Sequence, residues 1–128
     1  MKKLLAVVWV LALVATITRA SQEDPIRQLM KAKAGYAHRL LDAIVMEDFD
    51  AAREQSFRLK AVAETGDWKV LDTPEYVEES EAFVRATERL LEAASNRSGD
   101  GAALAYMDVA LRCVHCHRYL REHAAEKR

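Results

Sequence analysis

From residue 24 onward, helix-breaking residues fall in three places, at Asp24-Pro25, in the connector from Gly66 to Pro74, and at residues 96–101, and this spacing limits the possible folds more than any other feature. Asp24-Pro25 and Thr73-Pro74 each join an N-cap residue to a proline, which is favoured in the first helical turn. Gly66 is a plausible helix end, and residues 96–101 form a polar turn. Four helices are therefore predicted: 25–46, a second from Asp48 or Asp50 to Gly66, 74–95, and a last from Asp100 or Gly101 to about Ala124.

The apolar residues of these stretches recur at the three- and four-residue intervals of an amphipathic helix. In the third stretch the pairs repeat every seven residues, as in the seam of a helical bundle: Tyr76/Val77, Phe83/Val84 and Leu90/Leu91. In the fourth stretch one apolar face consists of Leu104, Met107, Leu111 and Val114. Amphipathic helices joined by mostly short links bury their apolar faces together. The pattern thus predicts an all-α, antiparallel four-helix bundle.

The first 20 residues resemble a secretory signal peptide. Lys2 and Lys3 precede an unbroken apolar run from Leu4 to Ala15, and the segment ends Thr18-Arg19-Ala20, with small residues before the expected cut. The uncharged stretch is shorter than the roughly 20 residues of a membrane-spanning helix. We therefore predict export to a bacterial periplasm, a single domain over residues 21–128, and no stable membrane insertion after cleavage.

The composition of the exported part limits its partners. Loss of Lys2, Lys3 and Arg19 changes the net charge from −1 to −4, which argues against a nucleic-acid partner. The remaining 108 residues can form one modest core. Both cysteines lie in this part, and an oxidising compartment seldom leaves thiols free without a reason.

The chemistry of the sequence is concentrated in Cys113-Val114-His115-Cys116-His117. This C-x-x-C-H pattern is the signature of covalent c-type haem attachment. Two thiols three residues apart on a helix can add to the two vinyl groups on one edge of the porphyrin. His117 lies four residues after Cys113, on the same face, and can reach the iron.

Three other interpretations fit less well. A thioredoxin-like redox pair needs a preceding strand and an α/β pattern, which the sequence lacks. A zinc site needs four ligands, usually from two such pairs. A structural disulfide gives no reason for His117. We therefore expect one haem c, with Cys113 and Cys116 as thioether anchors and His117 as iron ligand.

The position of the motif, on the last of four helices, resembles the cytochrome c′ group, the class II c-type cytochromes. The resemblance covers the exported chain as a helix pattern, but only the haem motif is specific. The family has a basic residue four positions after the haem histidine, where this chain has Arg121, and the resemblance implies that Arg121 compensates a haem propionate. Its first helix often carries Arg-Gln, whose Arg reaches a haem propionate, and Arg27-Gln28 fits that pattern. In the family a distal Met or Leu follows four residues after that Arg; here Met30 follows after three, and Lys31 is at the fourth place.

The group at the sixth iron position decides between two functions. A thioether from Met30 would give a six-coordinate haem suited to single-electron transfer between redox partner proteins. An apolar neighbour such as Leu29 would leave a five-coordinate haem open to NO or CO. The first alternative is the predicted function. No acid–base pair indicates an enzyme, and the family's contact between the first two helices implies a possible homodimer.

Overall fold

The computed structural model describes residues 24–125, and it confirms the predicted four-helix bundle. The helices are α1 (Pro25–Val45), α2 (Phe49–Thr65), α3 (Pro74–Ser95) and α4 (Gly99–Ala125). The expected leader, residues 1–20, and the domain start at residue 21 lie outside the described residues. Within residues 24–125, no helix is long and apolar enough to cross a membrane.

Side-chain caps explain where the first two helices begin. The Asp24 carboxylate accepts a hydrogen bond from the amide of Ile26 at 2.9 Å, and Asp48 accepts one from Ala51 at 3.0 Å. Each satisfies a backbone donor that the first turn leaves without a partner. Gly66 ends α2 in the left-handed conformation, at φ 71°. Thr73 precedes α3 but makes no cap; its hydroxyl instead lies 2.8 Å from the Tyr119 hydroxyl.

The α1–α2 and α3–α4 turns have the same construction. Glu47 and Arg97 both adopt φ 53°, a left-handed conformation in which glycine is preferred. The next residue in each turn donates a backbone hydrogen bond into the preceding helix, Asp48 to Ala43 and Ser98 to Ala93. Ser98 caps α4, so this helix begins at Gly99, slightly before the predicted start.

Polar contacts between helices establish the antiparallel order. Arg39 bonds Gln55 between α1 and α2, and Arg97 lies 4.0 Å from Asp50, which places the end of α3 beside the start of α2. Arg89 pairs with Asp108 between α3 and α4. The helices α1 to α4 pack in chain order, whereas α1 and α4 meet over a small area only. The fourth side of the bundle is therefore partly open.

The hydrophobic core of the bundle is built around residues of α3 that the seven-residue repeat predicted to be buried. Tyr76, Phe83 and Leu90 are all almost fully buried. Leu40 of α1 and Leu59 of α2 pack against the same cluster. Ser80, Ala86, Thr87 and Ala94 of α3 are buried as well, so this helix is the central support of the bundle.

The prediction for the apolar face of α4 was wrong. Its buried residues are Ala102, Val109 and Cys116, spaced seven residues apart. The predicted face lies on the opposite, solvent-exposed side of the helix: Leu104, Met107, Leu111 and Val114 are 74%, 58%, 48% and 48% exposed. The reason is that α4 is apolar on both faces, so periodicity alone does not decide which one is buried. The small residues are buried because they let α4 approach its neighbours closely.

Candidate functional site

The open side of the bundle contains an apolar groove between α1, α4 and the connector that precedes α3. It holds about 720 Å³ of space not filled by atoms, part of it open to solvent. Its walls are formed mainly by Met30, Lys33, Ala34, Ala37, Leu59, Trp68, Phe83, Val109, Arg112, Cys113, Cys116, His117 and Leu120. A second, outer pocket shares Met30, Trp68, His117 and Leu120 with this groove and adds Arg121.

The α4 wall of the groove carries the whole C-x-x-C-H motif. Cys116 is 8% exposed and Cys113 is accessible from the surface, and both thiols are free. Burial among apolar groups raises the pKa of both thiols, an effect that the nearby Lys33 ammonium partly offsets. Within the described residues the exposed His117 ring makes no hydrogen bond. The helix therefore brings together two protonated thiols and an imidazole without a hydrogen-bond partner.

The α1 wall faces the motif across the groove. It presents Met30, Lys33, Ala34 and Ala37, which share one helix face by their three- and four-residue spacing. Met30 is partly buried against the core cluster. The two alanines leave space beside the longer side chains, because a methyl group is all that projects there. The family resemblance predicts Met30 as the sixth iron ligand. The structure places Met30 in the same groove as His117.

Lys33 is the residue that sequence reasoning missed. Its Nζ atom lies 3.7 Å from the centroid of the Trp68 ring and 3.9 Å from that of Phe83. Burial lowers the pKa of Lys33 from 10.5 to about 8, against smaller opposing effects of Cys113 and Cys116. No carboxylate of the described chain pairs with it. The sequence did carry a signal for the burial of Lys33 in the groove. Lys33 follows Met30 by three residues and precedes Ala37 by four, so it lies on the apolar stripe of α1.

The connector between α2 and α3 contributes Trp68 to the floor of the groove. The indole is 2% exposed, donates from Nε1 to the carbonyl oxygen of Ala63 at 3.2 Å, and meets Phe83 edge to face. The Tyr76 hydroxyl holds the connector from α3: it donates to the Trp68 carbonyl at 3.3 Å and accepts from the Val70 amide at 3.4 Å. Trp68 is thus part of the floor of the groove.

A charged cluster lies behind the motif, between α3 and α4. Arg112 bonds Asp108 at 3.3 Å, and its guanidinium is 3.5 Å from Glu79. Glu79 also lies 3.8 Å from His115. The pKa of Asp108 is held below its usual value, mainly by hydrogen bonding to Arg89. This cluster fixes the register of α4 against α3 and so fixes which residues of α4 face the groove.

The two arginines predicted to meet haem propionates have different positions. Arg121 lines the outer pocket together with His117 and Leu120. Arg27 is exposed and is not among the residues that line either pocket of the groove. The structure therefore brings Cys113, Cys116, His117, Met30 and Arg121 together and leaves Arg27 outside.

Comparison with protein-family models, with curated proteins and with solved structures gave no match. The resemblance to class II c-type cytochromes therefore depends on the motif and on the helix order. Within residues 24–125, no three His, Cys, Asp or Glu side chains are arranged to hold a bare metal ion. A haem iron needs no such cluster, because the porphyrin supplies four of its ligands.

Proposed function

We propose that this protein is an exported c-type cytochrome that carries one covalently attached haem and transfers single electrons. The observation that supports this most strongly is that Cys113, Cys116 and His117 line one apolar groove, opposite Met30. A haem supplies one-electron redox chemistry at its iron when bound. The proposal includes a periplasmic location, which depends on the leader-like residues 1–20.

The donor set fits the group. Cys113 and Cys116 stand three residues apart on the groove wall, and both thiols are free to form thioethers. His117 lies four residues after Cys113 and makes no hydrogen bond within the described chain, so a ring nitrogen is available to the iron. The walls between these donors are apolar, which suits the porphyrin face. Arg121 at the open end is a suitable counter-charge for a propionate.

The protein residues around the groove would keep solvent away from the redox centre. Trp68 and Phe83 form a buried aromatic floor. The bonds of Tyr76 to the connector keep that floor in place. A rigid, apolar surround favours electron transfer, because little has to rearrange when the charge on the centre changes.

A sixth ligand to the iron of a bound haem would come from the α1 wall of the groove, where Met30 is the proposed donor. A thioether favours the reduced iron and raises the reduction potential. Lys33 is a second donor on the same wall, one helical turn further along, and its low pKa makes the neutral amine accessible above about pH 8. Spectra therefore have to distinguish sulfur from nitrogen ligation.

Two measurements test the proposal. The protein exported by cells that can attach haem is expected to give the pyridine haemochrome spectrum of a haem with two thioether bonds. Trp68 is the one tryptophan outside the leader, so its fluorescence should be strongly quenched in that protein. Cys113→Ala with Cys116→Ala should abolish covalent haem and restore the fluorescence. A purified exported protein without covalent haem would contradict the proposal.

The second candidate function is reversible binding of NO or CO at a five-coordinate haem. The observation that favours it is the pair Ala34 and Ala37, whose small side chains leave space at the α1 wall. Rapid CO binding to a high-spin ferrous protein would select this function. A weak absorption band near 695 nm, typical of Met–haem ligation, and no change with CO would select electron transfer.

A further inference from the structure

The exposed face of α4 carries a regular apolar stripe that no other part of the described chain covers. Leu104, Met107, Leu111 and Val114 are between 48% and 74% exposed. Asp100 continues the stripe at one end and Arg118 at the other, both exposed. The six positions are separated by intervals of four, three, four, three and four residues, which is the seam spacing of a two-stranded coiled coil.

The stripe is complementary to itself. If a second α4 packs antiparallel about a two-fold axis at the level of Val109, Leu104 meets the partner's Val114 and Met107 meets the partner's Leu111. The same register brings Asp100 opposite the partner's Arg118 at both ends. Neither charged side chain has an ion pair within residues 24–125, so both are available for this contact. Opposite charges at the ends favour the antiparallel order, because a parallel pair would place like charges together.

We propose that this stripe is the interface of a homodimer in which two α4 helices pack antiparallel. The inference does not depend on bound haem, because the stripe and the groove lie on opposite faces of α4. It also differs from the contact of the first two helices that the family resemblance implies. The seam is one helix wide, so the association is expected to be reversible.

Sedimentation equilibrium of the exported chain over a range of concentrations tests the dimer. We expect a monomer–dimer equilibrium in the wild type and a monomer for Leu111→Glu, which places a charge in the seam. Phe57→Glu is the matched control, since Phe57 is 61% exposed but lies on α2. It should leave the equilibrium unchanged. A wild-type monomer up to about 1 mM would overturn the proposal.

Charge exchange tests the register and direction. Asp100→Arg or Arg118→Asp alone should weaken the dimer by roughly tenfold, since each creates two like-charge contacts. The double variant should restore wild-type affinity. Circular dichroism checks that each variant remains helical. Failure of the double variant to restore the dimer, or a monomer that instead sediments with anionic phospholipid vesicles, would contradict this interface.

Discussion

The Nζ atom of Lys33 lies 3.7 Å from the centroid of the Trp68 ring, inside an apolar groove and without a carboxylate partner in the described chain. A second ring, that of Phe83, is 3.9 Å away. The two aromatic faces partly compensate the loss of hydration. They do not prevent the fall of the Lys33 pKa to about 8, so the groove holds a cation that the fold only partly stabilises.

The stability of the haem-free protein is therefore expected to rise with pH between about 8 and 10.5. In that interval the unfolded chain keeps its Lys33 proton while the folded chain releases it, so the free energy of unfolding increases. The gain is at most about 3 kcal/mol. Urea unfolding at a series of pH values measures it.

The control for this prediction must remove the thiols. The pKa of Cys113 and of Cys116 is raised, so their ionisation lowers stability as pH increases and opposes the Lys33 effect. The experiment therefore uses the double variant Cys113→Ala, Cys116→Ala as the background. The other titratable groups that line the groove, Arg112 and His117, are left unchanged. Lys33→Met in that background should abolish the rise. An unchanged rise would contradict the assignment to Lys33.

Variants of Met30 and Lys33 are expected to distinguish the two candidate donors of a sixth ligand to the proposed haem iron. Met30→Leu should remove the band near 695 nm in the oxidised, haem-loaded protein and allow CO to bind the reduced form. Lys33→Met should leave that band in place at neutral pH. Optical spectra of both variants are the measurement. Loss of the low-spin spectrum in Lys33→Met alone would instead identify the amine as the ligand.

The helices and the motif could be predicted from the sequence because their signals are local. Asp24-Pro25 and Thr73-Pro74 mark the starts of α1 and α3, and the seven-residue repeat of Tyr76, Phe83 and Leu90 identifies a buried seam. The spacing of Cys113, Cys116 and His117 likewise places all three on one helix face. Each inference needs only residues within a few turns of one another.

The orientation of α4 and the role of Lys33 depend on distant parts of the chain. Packing against α3 selects the face of Ala102 and Val109 over the larger Leu104 and Met107, and the Arg89–Asp108 pair holds that orientation. The helix pattern places Lys33 on the apolar stripe of α1, but its contacts with Trp68 and Phe83 form only when two other segments of the chain pack over it. Neither outcome follows from the helix pattern itself.

Removing the Tyr76 hydroxyl is expected to loosen the connector that forms the groove floor. Tyr76→Phe keeps the buried ring but loses the bonds to the Trp68 carbonyl and the Val70 amide. We expect a loss of about 1–2 kcal/mol in the free energy of unfolding. Trp68 emission in the haem-free protein should shift to longer wavelength as water reaches the indole.

Tyr106→Phe is the matched control for that change. Tyr106 is partly buried on α4, and its hydroxyl makes no hydrogen bond within the described residues. Its removal should change the stability and the Trp68 emission little. Equal effects of the two variants would show that the connector does not depend on the Tyr76 hydroxyl.

Glycine substitution at the left-handed turn residues is expected to stabilise the protein. Glu47 and Arg97 both have φ 53°, where a side chain costs about 1–2 kcal/mol and glycine costs none. Glycine also increases the conformational entropy of the unfolded chain, which lowers the free energy of unfolding by about 0.5–1 kcal/mol. The net increase in the free energy of unfolding from Glu47→Gly should therefore be about 1 kcal/mol or less. Arg97→Gly should gain less, because Arg97 also lies near Asp50 and over the Phe49 ring.

Gly66→Ala is the opposite test of the same physical argument. Gly66 ends α2 at φ 71°, and the nearest atom that a Cβ would meet is Lys69 Cδ at 3.9 Å, so space does not forbid alanine. The backbone conformation alone should then cost about 1 kcal/mol. Thermal and urea unfolding of the three variants provide the comparison. A stabilised Gly66→Ala or a destabilised Glu47→Gly would show that these turns do not hold the left-handed conformation in solution.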